Sequence, residues 1–65
     1  MSAEAEAIIA RLTQKGWTEV KVETDRLYSI GEGCDPEGNF RRSWIGICGQ
    51  PERSMQVLLE EMGRW

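Results

Sequence analysis

Sixty-five residues, with eight Lys and Arg against eleven Asp and Glu, a net charge of -3 and 40% hydrophobic content, describe one small folded domain. That leaves no length for a catalytic domain plus a regulatory one, too much apolar content for disorder, and an acid–base balance poorly suited to non-specific nucleic-acid binding. No apolar run approaches the roughly 20 residues of a membrane span, and the acidic start Met1-Ser2-Ala3-Glu4 has no signal-peptide core, so a cytoplasmic location is expected.

Residues 3–15 read as a helix. Ala5, Ile8, Ile9 and Leu12 form one apolar stripe at helical spacing. Ser2 suits the N-cap, and Glu4 and Glu6 face the positive end of the dipole. Gly16 suits the left-handed residue that ends a helix, which would fold Trp17 back against Leu12 as a plug.

Thr18-Glu19-Val20-Lys21-Val22 alternates polar with β-branched residues, the pattern of a half-buried strand. Thr24-Asp25-Arg26 supplies a turn, and Leu27-Tyr28-Ser29-Ile30 a second strand. A three-residue loop would set Val22 across from Tyr28 and Val20 across from Ile30, all four on the buried face. Gly31–Gly38 reads as a loop, with strong turn chemistry in Asp35-Pro36-Glu37-Gly38.

Asn39 to Cys48 is the longest run that reads as extended, bounded by Gly38 and by Gly49-Gln50-Pro51. Ile45 and Ile47 are expected to join the buried face, with Phe40, Arg42 and Trp44 pointing away from it; the alternative register, slipped by one residue, puts Trp44 in the core and Ile45 and Ile47 outside. Pro51 suits the first position of a helix, in which Met55, Leu58, Leu59 and Met62 form a second stripe and which Gly63 ends. Trp65 is free to pack back or to stay mobile. There is no internal repeat or low-complexity segment.

The expected fold is α+β, in the order α-β-β-β-α. Both helices lie on one face of a three-stranded antiparallel sheet, a two-layer sandwich. The other face then has no helix left to cover it. Phe40, Arg42, Trp44, Leu27 and Lys21 are the candidate interaction surface there, beside Glu19. Aromatics and Arg are the types enriched at interface centres. Arg41 and Arg42, adjacent on a strand, point to opposite faces and so do not form one basic patch. Arg42 near Glu32 would make an ordinary cross-strand ion pair.

The element order resembles that of the double-stranded RNA-binding domain, over nearly the whole length but as topology alone. The resemblance implies RNA contacts from the start of the second helix and from a hairpin loop. Here those are Pro51-Glu52-Arg53-Ser54, with one basic residue, and the acidic Asp35-Pro36-Glu37-Gly38. The charge that would carry RNA affinity is missing.

The chain has no histidine, the usual base for activating a thiol. Cys34, beside Asp35, is expected to be an unreactive loop thiol, and Cys48 to pack in or near the core. At opposite ends of one hairpin the two would lie roughly 20 Å apart, beyond disulfide reach. No converging set of metal ligands or phosphate loop is evident, so no cofactor is expected. Glu60-Glu61 reads as the solvated back of a helix, and Met55 and Met62 as core filler.

The residues therefore favour a non-enzymatic protein–protein interaction module, partnered by another protein or by itself as a homodimer, through the open sheet face or an edge. An alternative is a small acidic inhibitor or mimic that occupies the basic site of a nucleic-acid-handling partner. An RNA-binding module is a further alternative, and an enzyme is the class least supported. Size alone suits a bacterial or phage protein.

Overall fold

The computed structural model describes residues 2–65; Met1, part of the acidic start, lies outside them. The elements are α1 (Ala3–Gln14), β1 (Thr18–Thr24), β2 (Ser29–Cys34), β3 (Phe40–Ile45) and α2 (Pro51–Met62). The strands form one antiparallel sheet with β2 in the middle. α1 packs on β1, α2 packs on β2 and β3, and both helices share one core, so the two-layer α+β sandwich is the fold. No helix among the described residues is long and apolar enough to cross a membrane.

Local chemistry sets the helix ends. Ser2 caps α1 by accepting from the Ala5 N–H at 3.1 Å. At the other end Gly16, at φ +101°, turns the chain. The Trp17 N–H then donates to the Leu12 carbonyl and the Gly16 N–H to the Thr13 carbonyl, the paired bonds of a Schellman ending. Trp17 is thereby delivered into the core beside Leu12. Pro51 opens α2, where its missing N–H is no loss. Buried Ser54 ties that helix to the segment that leads into it from β3: its Oγ accepts from the Ile47 N–H at 3.0 Å and donates to the Gln50 carbonyl at 3.2 Å.

The sheet register differs from the expected one. Val22 lies across from Gly31 rather than Tyr28, and Ile30 across from Glu23 rather than Val20. A shift of three residues exchanges the two faces of β2. The turn explains it. The Asp25 carboxylate accepts from the N–H groups of Leu27 and Tyr28, at 2.8 and 3.2 Å, so the loop spans Asp25 to Tyr28 and the strands begin pairing at Thr24 and Ser29. Leu27 and Tyr28 are thus loop residues. Gly31 to Cys34, expected in a loop, are strand.

Ser29, Gly31 and Gly33 consequently face the helices, and Tyr28 and Ile30 do not. Packing favours this arrangement, because the helices supply the bulk. A Cβ built at Gly31 would meet Met62 Sδ, and one at Gly33 would come within 3.3 Å of the Trp17 ring. β3 is shorter than expected and ends at Ile45. Ile47 lies beyond it, half-buried, with its N–H committed to Ser54 instead of to a neighbouring strand. Cys48 is exposed in the same link, not packed in the core. Trp65 does pack back: it stacks on Trp17, centroids 5.1 Å apart and planes within 4°, with the Arg41 guanidinium 5.7 Å from its ring centroid.

Two substitutions test this packing. Gly31→Ala forces buried Met62 to move and should lower stability by about 1–3 kcal/mol; a urea midpoint equal to the parent's would contradict the close approach. Ser54→Ala strands the Ile47 N–H and should lower stability by about 1–3 kcal/mol in the same measurement.

Candidate interaction surface

With Ser29, Gly31 and Gly33 turned to the helices, alternation turns Ile30, Glu32 and Cys34 outward on β2. The register fixes their neighbours. Ile30 lies between Glu23 and Trp44, Glu32 between Lys21 and Arg42, and Cys34 beside Phe40. The open face is therefore an apolar row next to a charged row, with a second aromatic at the far end.

Trp44 and Phe40 are 65% and 61% exposed, a large apolar area for so small a fold. The Tyr28 ring meets Trp44 edge-on, centroids 5.9 Å apart at 80°, a favoured aromatic geometry that limits the freedom of both rings. Tyr28, Ile30, Trp44 and Arg42 together bound a shallow depression. Leu27, 67% exposed, sits in the β1–β2 loop at the Tyr28 end of the face. The face offers an apolar contact, a guanidinium and a phenol.

Four of the candidate residues, Lys21, Phe40, Arg42 and Trp44, thus share one face, and Leu27 lies at its end. Arg41 points to the helix side, over Trp65. Arg42 does lie across from Glu32, but the ion pair that closes within 4 Å among the described residues is Arg64–Glu61 on the surface. Tyr28 and Ile30 are the surface residues that sequence reasoning placed in the core. The signal for them was the small–x–small run Ser29-Ile30-Gly31-Glu32-Gly33, which marks the side where another element comes close.

Cys34 lies at the end of this face, with its thiol donating to the Glu19 carboxylate at 3.6 Å. Partial burial, followed by the bond to Glu19 and that residue's negative charge, pushes the thiol up from its usual range. Glu19 has a left-handed backbone, φ +54°, at an irregularity in β1 between Thr18 and Lys21. No group of three or more Cys, Asp or Glu side chains positioned to hold a metal ion occurs among the described residues.

No family model matches the chain, and no curated protein or solved structure is significantly similar to it.

The thiolate is the species that alkylates, so a raised thiol reacts slowly at neutral pH and gains reactivity only as pH climbs. With iodoacetamide near neutral pH, exposed Cys48 should be modified before Cys34. Glu19→Gln removes the opposing charge and should speed labelling of Cys34 several-fold. Mass spectrometry of timed samples checks both, and equal rates for the two thiols in the parent chain would contradict the assignment.

Proposed function

We propose that this chain is a non-enzymatic protein-interaction module that pairs with a second copy of itself through the open sheet face. The observation that carries the reading is Trp44: a large ring, mostly exposed, braced by Tyr28, on a face that neither helix covers. Buried aromatic and Arg anchors supply most of the energy of protein interfaces, and this face presents both types together.

Charge supports a second copy as the occupant. The face carries the cations Lys21 and Arg42 and the carboxylates Glu23 and Glu32. A surface of mixed sign can be complementary to itself, as an isologous interface requires. Size supports a reversible pair. Six residues of β3 span about 20 Å and three strands about 14 Å, a flat footprint of roughly 300 Å² per partner, below the about 800 Å² of a standard interface and in the weak, transient class. For a pair of that class we expect a dissociation constant in the micromolar range or above.

The non-enzymatic part of the reading rests on the absence of histidine and on the upward shift of the Cys34 thiol, opposite to what a nucleophile needs. A cytoplasmic location goes with it, since both cysteines are free thiols.

Sedimentation equilibrium from about 10 to several hundred micromolar, the range set by an affinity of this class, should show a monomer–dimer equilibrium. Trp44→Ala should weaken it by about thirtyfold or more, the effect of losing an interface anchor of about 2 kcal/mol, without lowering the thermal midpoint. A monomer across the whole range would refute the homodimer. Unfolding by Trp44→Ala would mean that the ring belongs to the fold and not to an interface.

A further inference from the structure

The other layer holds a second surface of different character. Near their C-terminal ends the helices are tied together: Arg11 Nη2 donates to the Gly63 carbonyl at 2.8 Å and Lys15 Nζ to the Trp65 carbonyl at 3.0 Å. Toward their N-terminal ends a groove opens between them, reaching down to Val22 and Thr24 of β1. Ala7 and Ile8 of α1, Val22 of β1, and Met55 and Leu59 of α2 give it an apolar lining. Its ionisable side chains are of one sign: Glu4, Glu52 and Glu60, with no Lys or Arg in the lining among the described residues, while Glu23 borders it on β1 but turns its side chain to the open face.

Two helix N-termini also open at this end, and each carries about half a positive charge. Three carboxylates outweigh them, so the groove is net negative. Glu4 and Glu52 lie in first turns, where the dipole itself favours an acid. Glu60 is in the last turns of α2, where the dipole disfavours one. Helix stability therefore does not account for Glu60.

We propose that this groove docks a basic amphipathic helix of a partner protein, with an apolar stripe on Val22, Met55 and Leu59 and flanking Lys or Arg side chains on the glutamates. The charge of the lining selects the basic partner. The shape selects the helix, which would add a third member to the helix layer at the usual spacing of about 8–10 Å. A helix satisfies its own main-chain groups, whereas an extended segment would leave many of its N–H and C=O groups unpaired against a wall of apolar side chains. Met55 in the lining adapts to stripes of different shape, and long Lys or Arg stems cover apolar surface while their charges reach the rim. This site is independent of the open sheet face, on the opposite side of the sheet.

The test uses the full chain, isotope-labelled, titrated with designed helical peptides of about four turns: one with a Leu stripe flanked by Lys and Arg, one with the same stripe flanked by Glu. The basic peptide should bind, with amide shifts centred on Ile8, Val22, Met55 and Leu59. Its affinity should fall at least tenfold as salt rises severalfold above physiological strength. The double substitution Glu52→Gln with Glu60→Gln should weaken it about tenfold or more, while Trp44→Ala leaves it unchanged. Equal binding of the acidic peptide, shifts centred on Trp44, or no binding of the basic peptide would overturn the proposal.

Discussion

The structure depends on the closeness with which Met62 and Trp17 approach the middle strand. That approach is possible because β2 presents Ser29, Gly31 and Gly33 to the helices and so leaves space for them. In most half-buried strands the sheet contributes the bulk and the helix settles on it. Here the helices contribute it, with Leu12, Leu58 and Met62 fully buried and Trp17 nearly so. A 65-residue chain has few large side chains to bury, and bringing the layers together is how it fills a core with them.

The same constraint shapes the opposite side. Successive strand residues point to opposite faces, so reserving one face of β2 for small residues sends Ile30 outward between Glu23 and Trp44. Tyr28 follows, because the Asp25 carboxylate holds the turn one residue short of Ser29. The apolar patch beneath Trp44 is thus a by-product of how the core is packed. A surface so produced needs no separate scaffold, which suits a domain with no residues to spare.

Much of this could be read from the residues. Spacing of apolar positions located both helices, and Ser2, Gly16 and Pro51 marked their ends, while the alternation around Trp44 favoured the open face and left the opposite register as an alternative. Each is a local signal whose chemistry acts within a few residues. The pairing of β1 with β2 was not legible in that way. The usual rule assigns β-branched and aromatic residues to the buried face, and here it selected Tyr28 and Ile30. It failed because the burial came from elements distant in sequence, and because one carboxylate, Asp25, lengthened the turn. The stacking of Trp65 on Trp17 was also hidden, since it joins positions 48 apart in the chain through nothing but tertiary packing.

Glu19 bears on how such a sheet ends. β1 and β3 are both edge strands, and an edge is a template for another chain. At Glu19 the backbone of β1 turns left-handed and its register slips, which twists that border and interrupts its ladder. β3 pairs with β2 without interruption from Phe40 to Ile45. Of the two borders, β3 is thus the more regular template for a further strand. The same irregularity that roughens the β1 border also brings the Glu19 carboxylate to the Cys34 thiol.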